Sequence, residues 1–593
     1  MVKLKLYSIT IKFLAICVVA LFFNTSCTTN NSEDAFQAIL DDSWSFRLKE
    51  NPLFATNVGV HSMNDQLPRN TFEDIYRRKD FWNSIGKRLE TIDQNRLDEH
   101  GKINFQIFLR IVKDRIISFK YKSYLMPLNA DSGFHIGLAL LPNRVPLATL
   151  EDYENYIARL NSIPSYMDDH IALLREGIKL GMTVPQIVLN GYEFTIKTHV
   201  VKNPEKSVFY KPFLDIPNSV SKDEHQRLRD LGRGAVINSV VEGYKHFLIF
   251  FEKEYYPKAR QNIGASDLPD GVAYYQYCIN HFTTLDLKPY EVHNLGLQEV
   301  DRIKSEMMAI IEQVGFNGSF QDFLKYLRTA PRFYANTPEE LLKEASFIAK
   351  RMDAQLPKLF KSLPSLPYGV QAVPVHIAPK YTSGRYVGAP KGSTEPGYYW
   401  VNTYALDKRP LYNLEALTLH EAVPGHHLQN AIAQELENLP NFRQHLYLSA
   451  FGEGWGLYSE WLGLEVGFYT DLYSNFGRLT YEMWRACRLV VDTGIHAFGW
   501  TRAEVIEYLT SRTALPMHEI TTETDRYISW PGQALSYKIG ELKIKELRSY
   551  AESVLQENFD VRRFHDAILS NGSIPLDILE SQLKIWVEKE QKK

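Results

Sequence analysis

Apolar residues recur at three- and four-residue spacing through most of the chain, with charged residues between them. The pattern is clearest over Phe72–Leu97, Leu150–Leu180, Asp223–Tyr256 and Pro289–Val314, and it predicts amphipathic helices there. Turn-forming clusters such as Gly181-Met182-Thr183-Val184-Pro185 and Leu268-Pro269-Asp270-Gly271 separate the runs. The texture changes between Leu363 and Thr403, where Pro and Gly interleave with Tyr, Val and Ala. Two pieces of that stretch, Val370–Ile377 and Gly397–Thr403, alternate like short strands. Helical spacing resumes at Leu411 and runs to the C-terminus, interrupted near Pro424 and at Trp530-Pro531-Gly532. No repeat of fixed period is present. The pattern predicts a mainly α protein with one small sheet, placed directly before a helix rich in reactive side chains.

Composition narrows the class. With 593 residues, 45% of them hydrophobic and 23% charged, the chain reads as globular and not as disordered or low-complexity. Its first 26 residues carry Lys3, Lys5 and Lys12, no acid, and an unbroken apolar run from Phe13 to Phe23. That is the layout of a signal peptide, too short to span a bilayer, which takes ~20 residues as a helix. Asn24-Thr25-Ser26-Cys27 follows, with a polar tether behind it. A small residue before a Cys where the apolar run ends predicts a lipoprotein signal (residues 1–26) and a lipidated Cys27. The plainer alternative is an ordinary signal peptide with an incidental Cys. Removing three lysines takes the net charge from −3 to −6. With no basic stripe, nucleic acid is excluded as a partner. Only Cys278 and Cys487 then remain, which is no disulfide framework, and no later segment has the unbroken apolar length of a transmembrane helix. Residues 27–593 are expected to form one helical body of two lobes, held outside the cytoplasm on a bacterial membrane by its lipid.

The candidate chemistry begins at Leu419-His420-Glu421-Ala422-Val423-Pro424-Gly425-His426-His427. In His-Glu-x-x-His, two histidines one turn apart bind zinc and the Glu works on the metal's water. Here Pro424 stands where the second His belongs. On an unbroken helix His426 would point ~240° away from His420. Pro424 removes a backbone donor and Gly425 permits unusual dihedrals, so Pro-Gly would act as a bulge or kink returning His426 to His420. His427 ranks second as a ligand, and the rival reading is a Pro-kinked core helix with surface histidines. Downstream, Glu453 and Glu460 stand seven apart in an otherwise apolar, glycine-rich stretch. Carboxylates there call for a partner or a metal. Glu453 is the expected third ligand and Glu460 a partner orienting a histidine; the rival reading is a polar surface face.

His420-Glu421-x-x-Pro424-Gly425-His426 followed by Glu453-Gly-Trp-x-Leu-Tyr-x-Glu460 resembles the bacterial family named domain of unknown function 885. Gly397-Tyr-Tyr-x-Val-Asn-Thr403, Val491-Asp-Thr-Gly-x-His496 and Pro531-Gly-Gln-Ala-x-Ser-Tyr-Lys538 extend the resemblance over most of the chain. The family is similar to the α-helical gluzincin peptidases, and this implies a two-lobed helical fold with a deep cleft, one zinc ion per chain and a peptide substrate. His420, His426 and Glu453 would then hold zinc and Glu421 would move the water's proton to the leaving amine. Tyr537, with Tyr527 as runner-up, would supply a donor to the oxyanion. Arg488, Asp492 and His496 share a helix face and would line the substrate, Asp492 orienting a catalytic His496; a solvated ion pair is the alternative. Arg526 and Lys538 would hold a peptide's C-terminal carboxylate. The strand Gly397–Thr403, with Asn402, would offer its edge to an extended peptide. Two other functions fit the same motifs: an inactive binding lipoprotein, and a metal-dependent hydrolase of a non-peptide amide.

Overall fold

A computed structural model describes residues 31–375, 377–389 and 395–593. The leader 1–26 and Cys27 lie outside the described residues. Helices dominate, and the capping chemistry shows why they start where they do. α1 (Phe72–Leu89) opens on a reciprocal box in which the Thr71 side chain accepts from the Asp74 N–H and Asp74 accepts from Thr71. The expected run Phe72–Leu97 therefore ends early, and a helix over Glu99–Lys120 follows with its own cap at Asp98. The run Leu150–Leu180 divides into α2 (Leu150–Asn161) and α3 (Ile163–Leu180), because Pro164 in the first turn of α3 has no N–H to continue α2. The run Asp223–Tyr256 is a continuous helix that passes through π-type turns at Val236–Val241 and Phe251–Tyr255.

α4 (Pro289–Gln313) lies along α8 (Leu472–Phe498), whose residues from Phe476 to His496 are all buried. Between them in sequence come the sheet, α5 (Leu414–Glu421), α6 (His426–Glu435) and α7 (Ser449–Glu465). α9 (Met517–Ser529) and α10 (Ser536–Leu555) follow α8. One continuous apolar core extends from Phe36 to Val587. Among the described residues no helix is long and apolar enough to cross a membrane. Cys278 and Cys487 are both buried and free.

The sheet has three strands in the order β1–β3–β2: β1 (Tyr368–Ala372), β2 (Gly384–Val387) and β3 (Gly397–Val401). β1 is parallel to β3, with Tyr368 opposite Gly397, and β2 is antiparallel, with Gly384 opposite Val401. The segment Gly397–Thr403 is thus the central strand, paired on both sides, and has no edge to offer a peptide. β2, the outer strand that packs against the Leu414–Glu421 helix, is one that the alternation pattern does not single out.

One charged cluster ties α4, α8 and α10 together from inside. Lys538 is fully buried, with its Nζ 2.9 Å from Glu299, 2.8 Å from Glu482 and 2.6 Å from Glu541. Burial opposes its charge, but the three carboxylates hold its pKa above the usual lysine range. Glu482 also pairs with Arg478 at 2.9 Å and with Arg302. The expected role of Lys538 as a substrate clamp is therefore corrected: its donors are spent on internal carboxylates. Removing one member of such a group leaves buried charge uncompensated.

α7 and α10 cross where Gly454 meets Gly540, so close that a Cβ on Gly540 would run into the Ala450 carbonyl oxygen. Gly540→Ala is expected to destabilise the fold by about 1–3 kcal/mol. The check is a urea or thermal melt; an unchanged midpoint would mean that the two helices have room to separate.

Candidate metal centre

α5 ends at Glu421 and α6 begins at His426, so the Pro-Gly sequence separates two helices and does not bulge one. The Val423–Pro424 peptide is cis. Gly425 has an ordinary negative φ of −75°. Its requirement is space: a Cβ there would meet the His420 carbonyl oxygen. The Trp455 indole on α7 donates to the Pro424 carbonyl at 2.9 Å and fixes the break against its neighbour.

The break brings His426 back beside His420. Their rings stand edge to face, with centroids 4.8 Å apart and planes at 88°. The Nε2 atoms of both lie 3.5 Å from one oxygen, Glu453 Oε2. These three ligand atoms all fall within 4.8 Å of one another, a set that could hold a metal ion. An ion with tetrahedral bonds of ~2.0–2.1 Å spaces its ligands about 3.3–3.5 Å apart, so the donor types and spacing fit zinc. His420 Nδ1 lies 2.8 Å from Glu460 Oε1, which directs Nε2 at the common point. Gly456 lets α7 approach, since a Cβ there would sit 2.7 Å from the His420 ring. Burial opposes a charge on His420, but Glu453 and Glu460 outweigh it and hold its pKa up at about 10. Burial likewise works against the Glu453 charge, and the two imidazoles hold its pKa well below the carboxylate range.

His427 turns away. Its Nδ1 lies 3.2 Å from the Tyr386 hydroxyl, its ring packs 4.6 Å from that of Tyr368, and burial pushes its pKa down to about 4. Glu421 faces the sheet: the Tyr386 N–H, on the free edge of β2, donates to its Oε2 at 2.8 Å. Arg385 and Tyr381 interact electrostatically with Glu421, and Arg385 also with Glu453. On the other side, the Tyr447 hydroxyl donates to Glu453 Oε1 at 3.0 Å and Tyr447 interacts with Tyr537. Arg485 reaches Glu460 at 3.6 Å. Arg385, Tyr381, Tyr386, Tyr447 and Arg485 escape sequence reasoning. The signals that point to them are weak: Arg485 stands three residues before Arg488 on one helix, and Tyr447 lies six before Glu453.

The stripe on α8 is buried, and its members do not pair as expected. Asp492 does not orient His496. It accepts from the Tyr275 hydroxyl at 2.6 Å and from the Gly532 N–H at 3.1 Å, and burial pushes its pKa up to about 7. His496 has Nδ1 3.0 Å from the Ala265 N–H and Nε2 3.0 Å from the Tyr527 carbonyl. The first contact requires an acceptor, so Nε2 carries the proton; burial pushes this neutral ring's pKa down to about 3. His496 thus ties α8 to α9 and to the loop at Ala265. The Tyr527 hydroxyl is buried, accepting from Trp484 at 2.8 Å and Arg488 at 2.9 Å. Asn402 is fully buried, and its Nδ2 donates to the carbonyls of Ala378, Tyr381 and Thr382 at 2.9–3.0 Å. It anchors the loop that leads into β2 instead of meeting a peptide.

The family described as "Bacterial protein of unknown function (DUF885)" matches residues 52–583. No curated protein matches. Among solved structures, the crystal structure of a "putative lipoprotein" from Colwellia psychrerythraea aligns with a TM-score of 0.88 at 28% identity, over 94% of this chain and 100% of that one. A second, of a "putative lipoprotein of unknown function" from Shewanella oneidensis, aligns with a TM-score of 0.70 at 18% identity, over 93% of this chain and 99% of that one, and shares the fold.

The buried Asp492 carboxyl sets a pH dependence. Its folded pKa of about 7 lies above the unfolded value near ~4, so between them the folded state holds a proton that the unfolded chain releases. Stability therefore falls as pH rises through that window. Asp492→Asn removes this contribution, and the variant is expected to lose less stability than the wild type between about pH 5 and about pH 8 in urea melts. Parallel pH profiles would show that Asp492 ionises freely in the folded state.

Proposed function

This chain belongs to the bacterial family DUF885, of unknown function, and on that premise we propose that it is a zinc-dependent peptidase acting on oligopeptides outside the cytoplasm. The observation that carries the reading is the convergence of His420 Nε2 and His426 Nε2 on Glu453 Oε2, each at 3.5 Å. Two imidazoles and one carboxylate leave a fourth position for water, the arrangement of catalytic rather than structural zinc sites. Bound there, the ion supplies a Lewis acid that brings a water's pKa toward ~7.

The chain's own residues supply the rest. Glu421 follows His420 directly and is steadied at one oxygen by the Tyr386 N–H, 2.8 Å away. It takes the proton of the attacking water and delivers it to the leaving amine. Arg385, which interacts with both Glu421 and Glu453, and the phenols of Tyr447 and Tyr537 are the donors for negative charge developing on the carbonyl oxygen. Glu460 and Arg485 keep His420 in the tautomer that presents Nε2. A helical scaffold with a small sheet set against the His-Glu helix supports kinship with the gluzincin peptidases, whose cleft lies between two helical lobes. The likeness to the Colwellia "putative lipoprotein" supports an exported lipoprotein anchored at Cys27.

Purified protein is expected to retain about one zinc per chain on dialysis, read by plasma mass spectrometry. His426→Ala loses the zinc and His427→Ala keeps it; metal-free wild type, or loss of metal in the second variant alone, overturns the ligand set. Glu421→Gln is expected to keep zinc while hydrolysis of a quenched-fluorescence peptide falls about a hundredfold to ten-thousandfold. Full activity in that variant would remove Glu421 from proton transfer.

A further inference from the structure

Next to the metal centre, α8 and α9 gather guanidiniums around Tyr537. Arg488 lies between two rings, 4.2 Å from the centroid of Trp484 and 4.3 Å from that of Tyr537. Its Nε donates to the Tyr527 hydroxyl and its Nη2 to Glu523, each at 2.9 Å. Its Nη1 has no acceptor among the described residues, although the residue is only 2% exposed. Arg526 reaches the same Glu523 at 3.3 Å, donates to Gln533 at 2.9 Å and lies 3.5 Å from the Tyr537 hydroxyl. Two guanidiniums thus share one carboxylate.

The other charges nearby do not restore the balance. Arg409 and Arg485 add positive charge around Glu519, whose own pKa is pushed up to about 7 by burial and by Glu523. A buried guanidinium nitrogen without an acceptor is costly, and a patch with surplus positive charge in a water-poor setting favours an anion.

The patch adjoins the centre by three routes. Arg485 stands 5.9 Å from the Tyr537 ring and 3.6 Å from Glu460. Tyr447, which donates to Glu453, interacts with Tyr537. Gln533 reaches Ser449, in the first turn of α7, at 3.4 Å. Tyr537 therefore stands between the arginines and the ligand Glu453.

We propose that Arg488 and Arg526, with Tyr537 between them and the metal centre, form a subsite for a carboxylate of the substrate, so that the peptidase acts on peptides that present a negative charge beside the scissile bond. The proposal rests on the peptidase reading. A peptide's C-terminal carboxylate and an acidic side chain offer the same chemistry, a planar anion matched to a guanidinium fork. The first source makes the enzyme a carboxypeptidase; the second makes it selective for Asp or Glu.

The test is calorimetric binding to the zinc-loaded, full-length Glu421→Gln protein, which leaves the peptide uncut. The probes are N-acetyl-trialanine, its C-terminal amide, and the same amide with Asp as the last residue. The free acid is expected to bind at least about tenfold tighter than the plain amide, as a charge-assisted contact requires. Tighter binding of the Asp amide alone assigns the subsite to acidic side chains. In the Glu421→Gln background, Arg526→Met, at a partly exposed position, abolishes the preference, and Arg488→Lys, which keeps the charge but not the fork, weakens it. Equal binding of all three probes, no binding of any, or a preference that survives Arg526→Met, overturns the subsite. Cleavage by the wild type of peptides blocked at both ends would in that case still uphold the peptidase reading, whereas binding of the acid without hydrolysis of any peptide overturns that reading and leaves the subsite.

Discussion

One carboxylate oxygen, Glu453 Oε2, is approached by two imidazoles, and the arrangement of four helices follows from keeping it so. Each partner sits on a different element: His420 on α5, His426 on α6, Glu453 on α7. α7 can lie close enough only because Gly456 leaves room for the His420 ring, and its closest approach to α10 is where Gly454 faces Gly540. α8 closes the back, where Arg485 answers Glu460, the residue that turns His420. The glycines of α7 are therefore placed by the ring and the backbone they accommodate. Their cost in helix propensity, roughly 1 kcal/mol each, is offset by the approach they allow.

Much of this was legible in the chain. Helical periodicity located the long amphipathic runs, and the Pro-Gly clusters located the sheet. His420, Glu421 and His426 could be singled out by the interrupted His-Glu-x-x-His pattern, and Glu453 and Glu460 because each is a carboxylate in a segment too apolar to hold it without a partner. What periodicity cannot report is how a helix is interrupted. The break at Ser162, the π-type turns at Val236–Val241 and Phe251–Tyr255, and the complete stop at Glu421 depend on single capping residues and on tertiary contacts such as the Trp455–Pro424 hydrogen bond. β2 was missed for a related reason: four residues, Gly384–Val387, are too few for alternation to register.

The residues misjudged from sequence share one property, full burial. Spacing places Asp492 and His496 on one face of α8 but says nothing of what covers that face. α9 and the loop at Ala265 cover it, and a stripe that looks ready for substrate becomes a set of internal ties. Lys538 and Asn402 tell the same story: each carries as many donors as a binding residue would, and each spends them on the protein itself. Partnering, not residue type, separates the scaffold from the working surface. Arg488 differs from them in having one nitrogen left over.

The stop between α5 and α6 also changes what the histidine pair measures. When two histidines share one helix, their separation is a property of helix pitch and is indifferent to the rest of the molecule. Here the helix breaks between them, so the gap between His420 and His426 reports how two separate helices dock. An ion gripping both, as the proposed function requires, would act as a rivet across this break. The break and the grip would then be thermodynamically linked: whatever loosens α6 from α7 would weaken the grip, and the grip in turn would hold α6 in register. The centre would then serve as a mechanical fastening of the fold as well as a place for chemistry.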